Sequence, residues 1–261
     1  MQNRLEIIKN KIEIKTGEEI QIEYNNELKD VLHVIITVSK DSSLVLNYDN
    51  QTISKVDIKI NVLENVSFHL CEMMKEENVK IQYQYDILSG GDIQIHKFRE
   101  AKEVRELDII YLNGENASIS YDFRGISLGK QKYNMVVYHN AKNTKSNISN
   151  KLVAMQEGEV HIDITSIVYP SIKGTSVHQN NRIINLNEKE HKISPNLLIE
   201  ENDIEASHSA HIGGFDKDAL FYLMSRGITK TEAIKLLLNG FLTDNFPNQE
   251  QLSQIINQYW R

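Results

Sequence analysis

The sequence predicts a mainly β chain closed by a small helical domain. Three features point to it. Apolar residues alternate with period two through most of residues 1–213. The alternating segments recur about every ten to fifteen residues, between Asn, Asp and Gly turns. After Gly213-Gly214 the spacing becomes helical and cap signals appear.

Taken in order, the strand signals are Ile12/Ile14, Ile20/Ile22/Tyr24, Val56/Ile58/Ile60/Val62, Val66/Phe68/Leu70 and Val79/Ile81/Tyr83/Tyr85/Ile87. They continue with Ile93/Ile95, Leu107/Ile109/Tyr111, Ala117/Ile119/Tyr121/Phe123, Tyr133/Met135/Val137 and Val160/Ile162/Ile164. Turns are marked by Gly90-Gly91-Asp92, Asn113-Gly114 and Glu157-Gly158. Spacing alone leaves two architectures open, a sandwich or barrel of hairpins and a solenoid of stacked coils. In the helical part, Asp216 is the expected N-cap of a first helix, with Phe215 placed to staple onto Leu220 and Gly227 placed to end it. Thr229 to Glu232 reads as a capping box opening a second helix that stops at Gly240. A third helix is expected from Asn248, carrying the stripe Leu252, Ile255, Ile256 and Tyr259. The division falls at residues 1–213 for the β core and 214–261 for the helical domain.

The 261 residues are 40% hydrophobic and 25% charged, with a mean hydropathy of -0.41, a globular composition long enough to bury a sizeable core. No apolar run approaches the roughly 18 residues of a membrane span. The opening MQNRLEIIKNKIEIK has no apolar signal region, so a cytoplasmic location is expected. A single cysteine, Cys71, rules out an intrachain disulfide and a four-cysteine metal site. The net charge is -7 and no Lys/Arg cluster stands out along the chain, which argues against nucleic acid as a partner.

Gly125 to Gln131 is one spacer short of a phosphate loop and lacks its Ser/Thr. Cys71 lies in the linker-like CEMMKEEN stretch with no evident base, and reads as an exposed, inert thiol. The charge-dense Lys97 to Glu106 segment reads as a solvated loop or short helix. His208 and His211 resemble a ligand pair, but on a regular strand they point to opposite faces. Alternation puts His208 with Ile204, Ala206 and Ala210, and spacing alone favours a hydrogen-bonded structural histidine over a ligand.

The stretch Gly174 to Phe241 resembles the core and C-terminus of the SufB/SufD family of iron-sulfur cluster assembly proteins. The resemblance rests on Gln179-Asn180-Asn181-Arg182, on Ser194-Pro195 followed by Leu197 to Glu200, on Ala206-Ser207-His208, and on Phe221 to Ile228. It implies a right-handed parallel β-helix followed by a small helical domain. It also implies a non-enzymatic scaffold subunit that pairs with a SufB-type chain, or with itself, and is docked by its C-terminal helices onto a SufC-type ABC ATPase. On that resemblance Phe221, Tyr222 and Arg226 are the partner-binding residues, and His208 is the cluster-associated interface residue and candidate metal ligand. Lys189 stands where SufB-type chains carry a cysteine, so the likeness is to the SufD branch. The isolated chain is then expected to bind no cofactor, a transient cluster arising only in the complex. Family members usually begin with a helical domain, whereas strand alternation starts here by Ile12. The other readings are a β-helix enzyme acting on a polysaccharide and an ATPase-binding adaptor that never contacts iron.

Overall fold

The computed structural model describes residues 3–8, 11–25, 31–49 and 54–260. The side chain of Ile12 lies outside that description. The strands are β1 (Asn3–Ile8), β2 (Lys11–Lys15), β3 (Ile20–Asn25), β4 (Val31–Val38), β5 (Ser42–Asp49), β6 (Lys55–Val62), β7 (Ser67–Ile87) and β8 (Asp92–Leu112). They continue with β9 (Ser118–Ser127), β10 (Lys130–His139), β11 (Lys145–Ala154), β12 (Glu159–Val168), β13 (Thr175–Asn185), β14 (Lys192–Ile199) and β15 (Ile204–Gly213). Helices α1 (Lys217–Ser225), α2 (Lys230–Thr243) and α3 (Gln249–Asn257) follow.

Pairing decides between solenoid and sandwich. From β9 onward each strand pairs in parallel with the strand two places along the chain, β9 with β11, β11 with β13 and β13 with β15 on one side, β10 with β12 and β12 with β14 on the other. A hairpin sandwich would pair consecutive strands antiparallel. The chain is therefore a parallel β-helix of about seven turns with two long sheets facing each other. Strands β7 and β8 each run 21 residues and pass around the corner from one sheet to the other. Only β1 with β2 and β3 with β4 pair antiparallel among the described strands.

One corner is set by backbone conformation. Asn65, Gly90, Asn116, Asn143 and Gly174 all take positive φ, between 56° and 71°. Each donates its backbone N–H to the next coil, from Asn65 to Ser89 O at 2.8 Å through Gly174 to Asp203 O at 2.8 Å. Asn and Gly are the residues that tolerate this conformation with little strain. At Gly114 a Cβ would fall 1.9 Å from the backbone nitrogen of Ser89, so only glycine lets the coils stack there.

The lumen is filled mainly by aliphatic and tyrosine side chains, but its middle coils contain charge. Here two expectations fail. Lys97 to Glu106 is neither loop nor short helix; it belongs to β8, with Lys97, Arg99 and Glu106 fully or almost fully buried. In the second half of β8 the expected apolar row Leu107/Ile109/Tyr111 faces outward, and Glu106, Asp108, Ile110 and Leu112 face in. Alternation located the strand but not its inner face, because opposite charges pair with one another inside. Arg99 Nη2 pairs with Glu72 Oε1 at 2.7 Å and Nη1 with Glu106. Lys97 Nζ donates to Glu106 at 3.0 Å and Asp108 at 3.4 Å, and sits 3.4 Å from the centre of the Tyr83 ring. Tyr83 donates to Glu72 at 2.5 Å, and Tyr121 donates to Asp108.

The nearby CEMMKEEN stretch is likewise part of β7 rather than a linker. Cys71 is half-buried on it, its Sγ accepting from Asn248 Nδ2 at 3.7 Å. Burial, together with the Glu72 charge, pushes the thiol up to about 11, which leaves it protonated and inert near neutral pH.

His139 is fully buried, its two ring nitrogens hydrogen-bonded to Thr144 Oγ1 at 2.8 Å and Ser146 Oγ at 2.9 Å. Burial pushes its pKa down to about 4. The unfolded chain takes up a proton below about pH 6.5 that the folded chain refuses. The stabilising contribution is thus whole above that pH and is lost as pH falls towards about 4, a change of roughly 3 kcal/mol. Replacing His139 with Gln should flatten the pH dependence of the melting temperature between pH 7 and 4.5. An unchanged slope would show that His139 does not titrate on unfolding.

Candidate functional site

The last coil is poorly covered, with residues 205–212 of β15 all exposed. Strand β15 pairs only with β13 among the described strands, so its far edge presents unpaired backbone N–H and C=O groups over ten residues. Edge strands of this length normally require a covering partner. The row Ile204, Ala206, His208, Ala210 and Ile212 stacks in register on the buried residues Thr175, Val177, Gln179, Asn181 and Ile183 of β13. It is therefore the lumen-facing row, left open because no further coil stacks on it among the described residues.

His208 lies at the centre of this row, exposed, without a hydrogen-bond partner among the described residues. The structural role that spacing favoured is not what the fold gives it. His211 stacks on Arg182 on the opposite face, so the two histidines are separated as expected. Beneath His208 the lumen is polar. Gln179 donates to Ser166 Oγ at 2.8 Å, and Asn150 donates to Asn181 Oδ1 at 2.8 Å. The buried Gln179 Oε1 has no partner among the described residues. Lys189 is exposed and paired with Glu157 at 2.7 Å, which raises its pKa, so it is held as a cation. Among the described residues no three His, Cys, Asp or Glu side chains come together as a metal site.

The helices divide into a packed pair and a free one. Leu238, Leu242, Phe246, Leu252 and Ile256 form a second core against Met73, Phe98, Ile126, Val153 and Ile184 on the outside of the solenoid. Helix α2 runs past the expected stop at Gly240 to Thr243, because burial of Leu242 and capping from the solenoid outweigh the roughly 1 kcal/mol that an interior glycine costs. The cap is Arg124, whose guanidinium donates to the carbonyls of Phe241 at 3.1 Å, Leu242 at 3.2 Å and Asp244 at 2.8 Å. Asp122 holds it with two bonds of 2.7 Å. Burial alone would raise the Asp122 carboxyl, but the hydrogen bonds and charge of Arg124, with His96 3.7 Å away, win and lower it. No local pattern signals the capping role of Arg124, since the carbonyls it caps lie 117 to 120 residues away.

Helix α1 buries no residue. Asp216 caps it, accepting from Asp218 N at 2.8 Å, and Gly227 follows at φ 85°. The Thr229–Glu232 capping box opens α2. Phe221 is 73% exposed and Tyr222 58%, with Met224 and Leu236 beside them in the exposed set. The Arg226 guanidinium lies 5.3 Å from the Tyr222 ring centre. These exposed aromatics on a short helix form an uncovered apolar patch. The rest of the hairpin is covered, since Leu238 is buried and Phe215 and Phe241 pack against the second core.

These features define a class, a parallel β-helix with an open, histidine-bearing last coil and a helical appendage that leaves one aromatic helix uncovered. A family model for the SUF system FeS cluster assembly SufBD core domain matches residues 23–241. The chain belongs to that family, and within it is SufD-like. It is 28% identical over 247 residues to the iron-sulfur cluster assembly protein SufD of Bacillus subtilis, covering 85% of this chain and 55% of that one. Escherichia coli SufD is 25% identical over 136 residues, 51% of this chain and 32% of that one. Bacillus subtilis SufB is 32% identical over 107 residues, 40% of this chain and 23% of that one. The chain thus spans about half the length of the Bacillus SufD, or less, in each comparison. No helix among the described residues is long and apolar enough to cross a membrane.

Proposed function

We propose that this chain is a scaffold subunit of a cytoplasmic iron-sulfur cluster assembly complex, pairing through β15 with a second chain of the family and docking a SufC-type ABC ATPase on α1. The observation that carries the reading is the last coil: an unpaired edge strand whose inward row, His208 included, lies open. A SufB-type chain would supply the missing strand and thiolates; a second copy would supply the strand alone, since its one cysteine, Cys71, is half-buried and protonated. Neutral imidazole is a competent iron ligand where histidine replaces cysteine, so His208 would contribute one ligand or a proton relay to the growing cluster. The cluster is cargo here, and the chain catalyses nothing itself. ATP-driven closure of the partner would move α1 and, through the Arg124-capped α2, reach the solenoid wall.

Phe221→Ala/Tyr222→Ala tests the docking half. Both side chains are exposed, so the variant should fold normally, while buried aromatics dominate interfaces once covered. Co-expressed with a SufC-type ATPase, it should bind at least tenfold more weakly, with an unchanged circular dichroism spectrum. Undiminished binding would remove α1 from the interface.

A further inference from the structure

The sequence shows no basic cluster, yet the solenoid assembles one. Residues 25 to 31 positions apart are brought side by side, and register aligns Lys55 with Lys80, Lys80 with Arg105, Arg105 with Lys132, Lys132 with His161 and His161 with Lys192. One outward row of six successive strands is therefore wholly basic or imidazole. Neighbouring positions are about 4.8 Å apart, a spacing at which like charges repel. Lys55 is paired with Asp57 at 2.9 Å, and His161 faces Glu159 at 3.4 Å. Lys80, Arg105, Lys132 and Lys192 are exposed and have no carboxylate in ion-pair range among the described residues.

The middle of this row lines an open groove of about 650 Å³, together with Lys130, Gln131, Asn78, Asn134, Glu103 and Glu159. We propose that this groove binds an acidic polypeptide segment of a partner protein, laid along the row and so parallel to the solenoid axis. Five steps of about 4.8 Å give a span of about 24 Å, the length of about seven extended residues, whose alternate carboxylates would meet the cations. The lining also speaks against a nucleic acid strand. Among the described residues it offers no Phe, Tyr or Trp on which bases would stack, and its two carboxylates can accept backbone N–H groups, which a peptide carries and a phosphodiester chain lacks. The inference is independent of the scaffold reading, since the groove lies on β7, β8, β10 and β12 and uses neither β15 nor α1.

The test is fluorescence anisotropy of the full chain with two labelled probes, a 15-residue peptide with glutamate at alternate positions and a 15-nucleotide oligo-dT. The peptide should bind at low ionic strength and weaken as salt is added. Lys80→Glu/Arg105→Glu/Lys132→Glu should lose at least tenfold in affinity. Lys40→Glu/Lys142→Glu/Lys173→Glu, with the same change in net charge at exposed corners, should lose less than threefold. Should the reversal variant fail to fold, the glutamine triple at the same three positions should still lose at least threefold. Equal losses in row and corner variants, absence of peptide binding at millimolar concentration, or tighter binding of oligo-dT would each overturn the proposal.

Discussion

Replacing Arg99 with methionine should lower the melting temperature by about 10 °C. The guanidinium is 1% exposed and is shared by Glu72 and Glu106. Burial opposes its charge, but the Glu72 carboxylate outweighs that and holds its pKa up. Methionine fills much of the space and removes the cation, stranding carboxylates in a site lined by Tyr83, Phe123 and Tyr133. Breaking a buried pair from one side costs about 3 to 5 kcal/mol, and each kcal/mol is worth about 2 to 4 °C for a chain of this size. The cluster sets three carboxylates, Glu72, Glu106 and Asp108, against two cations, Lys97 and Arg99. Burial already lowers the Lys97 pKa and raises that of Asp108, so the remaining charge is poorly compensated once Arg99 is gone. Glu72→Gln/Arg99→Met should recover several degrees by removing the stranded partner as well. A loss below about 2 °C in the single variant would show that the network contributes little to stability.

That network also marks where sequence reading stops. Strands with aliphatic inner rows, such as Val56/Ile58/Ile60/Val62, were legible, because one apolar face leaves a single choice of orientation. At Leu107/Ile109/Tyr111 the same rule gave the wrong face, since Arg99 and Lys97, eight to fourteen residues earlier on the same strand, make an ionic interior possible. The cap of α2 by Arg124 and the basic row from Lys55 to Lys192 depend on contacts between coils, and coil length varies, so no fixed period reveals them. The helix caps at Asp216 and Thr229 are local and were readable in full. His208 was placed on its strand and face correctly by alternation; its exposure was not, because whether a solenoid continues past its last strand is not written in that strand.

The central claim rests on His208, and the direct measurement is the iron and acid-labile sulfide content of the complete SufB-type, SufC-type and His208→Ala complex, with its melting temperature taken on the same sample. The imidazole is exposed and makes no hydrogen bond among the described residues, so its removal leaves neither cavity nor stranded partner within the chain. The account predicts a melting temperature within about 2 °C of the unaltered complex and cluster loading reduced at least fivefold. Normal cluster loading, with or without a loss of stability, would contradict it.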